Sequence, residues 1–202
     1  MGRNSGGVIT VTDSGVVVSK GSTESGYTKD MLKNIVGIEQ KYRNNKDETL
    51  HIFTQDGKLV MSVGGQGNRV EFYPYLAPKD AILTHNHPNS IGRKGILKIG
   101  NSFSKEDIMT AVEMNVKEMR AVTPTYTFSI KRPKEGWNIG DAKSFKREYS
   151  KIYKSVDKEM RQYMSKRGSS KTSIERAMAT FYHKVNTELA KKYGWDYTKK
   201  KG

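Results

Sequence analysis

The chain has 202 residues, no cysteine and a formal net charge of +15. That length supports one sizeable core with a small appendage, and the missing cysteines exclude disulfides, Cys-type zinc fingers and thiol catalysis while fitting a reducing compartment. The mean hydropathy is −0.74, no stretch approaches the ~20 apolar residues of a membrane helix, and residues 1–7 lead only into a short apolar run that does not read as a signal peptide.

In chain order, residues 7–12 and 15–20 read as two short strands turned at Asp13-Ser14-Gly15. A polar linker follows, closing an N-terminal segment 1–27. Residues 28–44 read as a helix with Met31, Leu32, Ile35 and Ile38 on one face. Residues 49–53 and 58–63 form a hairpin, because Asp56-Gly57 between them is a strong turn signal. Gly64 to Asn68 is a glycine-rich loop, and residues 70–75 read as a further strand. An apolar strand signal over residues 80–84 then runs into His85-Asn86-His87-Pro88.

Residues 89–103 read as a basic, glycine-rich loop, with Gly92, Gly95, Gly100, Arg93, Lys94 and Lys98. Ser104 opens a helix whose inner face carries Ile108, Ala111, Val112, Val116 and Met119. Residues 124–131 alternate Tyr126, Phe128 and Ile130 as a strand, and residues 133–140 read as a linker. Two amphipathic helices follow. Phe145, Tyr149, Ile152, Val156, Met160 and Tyr163 line the first; Ile174, Met178, Phe181, Val185 and Leu189 line the second. Thr172 with Glu175 reads as a capping box, Gly194 as a C-cap, and Lys199-Lys200-Lys201 as a frayed end.

Charge is unevenly placed. Residues 131–202 hold 20 Lys/Arg against 8 Asp/Glu, so they carry +12 of the +15. This asymmetry points to an anionic partner, nucleic acid or an acidic protein, or else to a solvated helical face.

The chemistry concentrates at His85, His87 and Asp107. In a strand, residues i and i+2 point the same way, so both imidazoles can meet at one point. Asp107 in the first helical turn can add an oxygen. Two nitrogens, one oxygen and an open fourth position form the ligand set of a catalytic zinc site. Each piece also has a plainer reading. Ser104-x-x-Asp107 is a capping-box arrangement, and His-Asn-His is a polar turn before Pro88. His51 can face either side of its strand, and His183, one position off an apolar stripe, reads as structural.

His85-x-His87-Pro88 followed by Ser104-x-x-Asp107 resembles the core of the JAMM (JAB/MPN-type) metalloprotease motif. The resemblance covers about residues 28–132, roughly half the chain. It implies an α/β fold, a JAMM-like mixed sheet flanked by helices, with residues 141–202 as a basic two-helix extension. It further implies Zn²⁺ on His85, His87 and Asp107, an upstream glutamate as general base and Ser104 beside the metal as a catalytic hydroxyl. Glu48 occupies the glutamate's context, at the start of the strand after the first helix; Glu71 and Glu39 are the weaker candidates. The implied activity is hydrolysis of a peptide or isopeptide bond in a protein or ubiquitin-like substrate. The family's usual run from second His to Asp is about half the twenty positions from His87 to Asp107, so this chain departs from the pattern by an insertion between the strand and the helix.

A looser likeness joins residues 84–88, Phe103-Ser104-x-x-Asp107-Ile108 and the run Glu118-Met119-Arg120-Ala121-Val122, read as a helix end. It resembles a domain of phage minor head and head-morphogenesis proteins. It implies a phage origin, residence in a bacterial cytoplasm or a phage particle, and a non-catalytic virion module as the alternative function. Three other signals are weak. Gly64-Gly65-Gln66 matches the tripeptide of peptide-release factors, Gly64-Gly65-Gln66-Gly67 lacks the Gly-Lys-Ser/Thr of a phosphate loop, and His-Asn-His is too compact for an HNH nuclease. A nuclease with an unusual metal site stays open as a third reading. No membrane partner is expected.

Overall fold

The computed structural model describes residues 11–12, 15–16, 27–67, 69–88, 101–167 and 170–202. Most of the loop expected over residues 89–103 and of the N-terminal hairpin lies outside the described residues. What is described of that hairpin is β1 (Val11–Thr12) paired antiparallel with β2 (Gly15–Val16).

Helix α1 (Lys29–Tyr42) begins where Thr28 accepts the Met31 N–H at 3.3 Å. Its residues Met31 and Ile35 are spaced for one face, and both are buried. β3 (Thr49–Phe53) and β4 (Leu59–Gly64) form the expected antiparallel hairpin. Gly57 in its turn takes a φ of 81°, and a Cβ there would meet the Met31 side chain at 2.9 Å, so the turn requires glycine. Residues 70–75 are not a strand. Pro74 opens a 3₁₀ turn, Pro74–Leu76, and a proline has no N–H to give a ladder.

β5 (Ile82–Asn86) and α2 (Lys105–Glu113) follow. The helix expected to run through Met119 stops six residues earlier, since Asn115 turns to a φ of 49°. Residues 118–122 instead form β6 (Glu118–Val122), parallel to β5 and buried along its whole length. Glu, Met, Arg and Ala favour helix, and burial on both faces of a sheet overrides that preference. β7 (Tyr126–Lys131), α3 (Ala142–Arg167), α4 (Lys171–Tyr193) and β8 (Asp196–Lys201) complete the chain.

The main sheet is six-stranded and mixed, in the order β4-β3-β5-β6-β7-β8. The β5–β6 pair is parallel and the other neighbours are antiparallel. The molecule is thus mixed α/β, with four helices against this sheet among the described residues. The three C-terminal lysines do not fray: they belong to β8, an edge strand, where lysines discourage further strand pairing. Helix α4 starts two residues earlier than its expected cap, with Ser170 rather than Thr172 accepting the Ser173 N–H. Gly194 closes it at a φ of 71°. Its first turns also depart from the expected stripe, because Ile174 and Met178 are exposed.

Alternation divides the sheet into two faces. Tyr27, Met31 and Ile35 pack with Phe53 and Ile82 on one. Leu50, Ile52, Leu83, Met119, Ala121, Phe128 and Ile130 lie on the other. The second face forms one buried cluster with Phe103 and Ile108 and with Phe145, Tyr149, Val156, Val185 and Leu189 of α3 and α4. The basic helices therefore pack on the same sheet face that carries His85. No helix among the described residues is long and apolar enough to cross a membrane.

Candidate metal centre

His85 pairs across the ladder with Leu50, so its ring lies on the Leu83 face and against Phe103, 6.4 Å between centroids. His87 follows two residues later, just beyond the end of β5. The two Nε2 atoms are 2.9 Å apart. Asp107 reaches both, with Oδ1 3.4 Å from His85 Nε2 and Oδ2 3.5 Å from His87 Nε2. One ligand atom from each of the three lies within 4.8 Å of the others, a group that could hold a metal ion.

The helix cap and the candidate ligand are one device. Ser104 Oγ accepts the Asp107 N–H at 3.1 Å, and Asp107 Oδ2 accepts the Ser104 N–H at 2.7 Å. This reciprocal capping box folds the Asp107 carboxylate back over the helix N-terminus, on the side where the imidazoles stand. Ser104 keeps its O–H as a donor. The two readings of Ser104-x-x-Asp107 are thus compatible.

His87 Nδ1 lies 2.7 Å from the Asn101 carbonyl oxygen. A carbonyl only accepts, so Nδ1 carries the proton and the neutral ring offers its Nε2 lone pair to the centre. Burial pulls the His87 pKa down, but the hydrogen bond and charge of Asp107, the Asn101 carbonyl and the charge of Glu48 outweigh it and raise the value. Burial pushes Asp107 up, and the adjacent imidazoles more than reverse this, holding it well below the usual carboxylate range.

Glu48 is half-buried. Burial raises its carboxyl, while His85 and His87 pull it down and Asp107 pushes it up, so Glu48 is within electrostatic reach of all three. The other two glutamates stand elsewhere. Glu71 is exposed and pairs with Arg69. Glu39 is buried on the α1 face, where it binds Thr84 and Arg120. His51 turns to that face too, its ring 4.3 Å from Tyr42. His183 is tied to Tyr197 at 2.8 Å, and burial, with Lys199 and Lys184 nearby, lowers it to about 4.

Three fastenings were not legible in the sequence. Asn86, between the histidines, faces the other way: its Oδ1 accepts the Thr49 N–H at 2.8 Å and its Nδ2 donates to the Asp47 carbonyl at 3.1 Å. It thereby grips the backbone on both sides of Glu48. The Gly64–Gly67 loop grips Glu48 itself. Glu48 N–H donates to Gly67 O at 2.7 Å, and Gly65 N–H donates to Glu48 O at 2.8 Å. A Cβ on Gly65 would stand 2.1 Å from the Arg69 carbonyl oxygen, so this close approach excludes a side chain. The third fastening comes from the C-terminal elements. Asn186 Nδ2 donates to Ser102 Oγ and Phe103 O, and Tyr197 OH meets Ser102 Oγ at 2.8 Å. These bonds hold the segment that brings Asn101 to His87 and Ser104 to α2. Only strand alternation, which turns Asn86 away from the histidines, could have hinted at any of them.

No protein-family profile, curated protein or solved structure matches the chain.

Proposed function

We propose that the protein is a zinc-dependent, JAMM-like hydrolase of a peptide or isopeptide bond. The observation that carries this reading is the joint placement of His85, His87 and Asp107 with Glu48 beside them. The donor set fits the metal: two imidazole nitrogens and one carboxylate oxygen suit zinc and leave a position open. When bound, the metal lowers the pKa of water to about 7 and polarises a carbonyl. His85, His87 and Asp107 would hold it, with Asn101 O setting the His87 tautomer.

The chain's own groups supply the rest. Glu48 takes a proton from the attacking water at its carboxylate and delivers it to the leaving nitrogen. A carboxylate within electrostatic reach of the group is the residue type this proton transfer needs. Ser104 Oγ–H donates to the oxyanion that develops on the scissile carbonyl, while the same oxygen stays anchored by Asp107 N–H. The test is Glu48→Gln in zinc-loaded protein, assayed on a mixed peptide and ubiquitin-like fusion substrate panel. Cleavage should fall at least ~100-fold with zinc content unchanged, whereas Glu71→Gln should leave it intact. Equal loss in both variants contradicts the assignment of the base.

A second reading is supported by the exposed basic side of α3, where Lys146, Arg147 and Lys158 are solvent-facing. On this reading the fold is a metal-holding phage-particle module that touches nucleic acid. Its signature is affinity for DNA whose logarithm falls linearly with log salt, together with no hydrolysis.

A further inference from the structure

The cations of α3 gather on one line. At about 100° per residue, Lys143, Arg147, Lys151, Lys154, Lys158 and Arg161 fall within an arc of about 80°, and no other residue between Lys143 and Arg161 falls in it. All six are exposed. The arc lies opposite Phe145, Tyr149 and Val156, which are buried in the cluster on the sheet, so it points away from the sheet face that carries His85. At 1.5 Å of rise per residue the line runs roughly 27 Å.

A helix face that is merely solvated intersperses its signs, because opposite charges three or four residues apart stabilise it. Here the acids of α3, Glu148, Asp157 and Glu159, all stand outside the arc. Glu148 and Asp157 reach Lys151 and Arg161 from its flanks, at 2.7 and 2.8 Å. Lys143, Arg147, Lys154 and Lys158 make no ion pair among the described residues. The arc also holds no apolar or aromatic side chain. A protein partner needs an apolar core to its interface, a membrane surface needs an apolar helix face, and a single nucleic-acid strand needs aromatic platforms for its bases. A nucleic-acid duplex is a stiff rod of closely spaced phosphates and can be held by charge alone.

We infer that this stripe is a binding surface for duplex nucleic acid, gripping the phosphate backbone without reading bases. The inference rests on the nucleic-acid partner of the second reading but not on an inert centre, and it holds whether or not the protein hydrolyses a bond.

The test is fluorescence anisotropy of the full chain with labelled duplexes of about 24 base pairs, DNA in one arm and RNA in the other, across a series of salt concentrations. With the four unpaired cations on phosphates, log affinity for the DNA should fall against log salt with a slope of about −3.6. Lys154→Gln/Lys158→Gln should reduce the magnitude of that slope by about 1.8 and weaken both duplexes, with zinc content and circular dichroism unchanged. Lys33→Gln/Lys41→Gln removes the same charge from the exposed side of α1 and should leave the slope as it is. Equal effects of the two double variants, a slope untouched by the first, or tighter binding of the single strand or of polyglutamate than of the duplexes overturns the inference. Duplex binding that survives loss of the stripe refutes this inference alone, and a protein that binds the duplex and also cleaves peptide refutes the second reading alone.

Discussion

At the scale of single residues, Asn86 separates positioning from chemistry. It is 1 % exposed and touches neither the imidazoles nor the carboxylate of the centre in its recorded bonds, which all go to residues 45–49. On the proposed hydrolase reading, Asn86→Ala should therefore retain about one zinc and lose hydrolysis by roughly tenfold or more, because a misplaced Glu48 loses its near-attack geometry. Removing the side chain also leaves the Thr49 N–H unsatisfied, at a cost of about 1–3 kcal/mol. Zinc content measured beside the cleavage rate checks this; a parallel loss of both would make Asn86 a support of the ligands instead. His85, His87 and Asp107 were legible in the sequence because each follows a short-range rule, i to i+2 in a strand or the third position of a helix. The partners of Asn86 lie 37 and more positions away, and no local period encodes such a pairing.

At the scale of elements, β6 is the instructive case. Its five residues, Glu118–Val122, were read as a helix end because Met119 keeps helical spacing from Ile108 and Val116. What makes them a strand is the face they turn to α1. Arg120 binds Glu39 at 2.6 Å and Glu118 at 2.8 Å, and Ser129 and Tyr27 also donate to Glu118. All three charged groups are at most 5 % exposed. Arg120 thus bridges two buried carboxylates, one from α1 and one from β6, while the buried Arg43 adds positive charge near Glu39. Arg120→Met breaks both ion pairs, and breaking such a buried pair costs about 3–5 kcal/mol. Chemical denaturation should show that loss; a midpoint within error of the wild type would contradict the role given to the network. β8 escaped the sequence for a different reason. Its lysines mimic a solvated tail, while Tyr197, paired with Ile130 across the ladder, anchors it.

At the scale of the molecule, the basic C-terminal region and the His85–His87–Asp107 group are joined. Its apolar residues share the buried cluster of the sheet, and Asn186 and Tyr197 hold the segment before Ser104. Charge composition separated this region in the sequence, yet charge reports only its surface. The fold also carries a pH signature. His51 is 2 % exposed, and burial lowers it to about 4, against ~6.5 in an unfolded chain. Between these values the unfolded state binds the proton and the folded state does not. Stability therefore falls on acidification, by up to ~1.4 kcal/mol per pH unit from this group. In zinc-free protein, the stability of wild type relative to His51→Gln should decline from pH 6.5 toward 4. A difference independent of pH would show that His51 is not buried neutral.

The central claim is that His85, His87 and Asp107 hold one zinc ion. Metal analysis of protein purified without added metal tests it most directly. Wild type should carry about one equivalent of zinc, and the His85→Ala/His87→Ala double variant, folded by circular dichroism, should carry almost none. Stoichiometric zinc in the double variant, or a wild type that binds none after equilibration with the metal, would contradict the account.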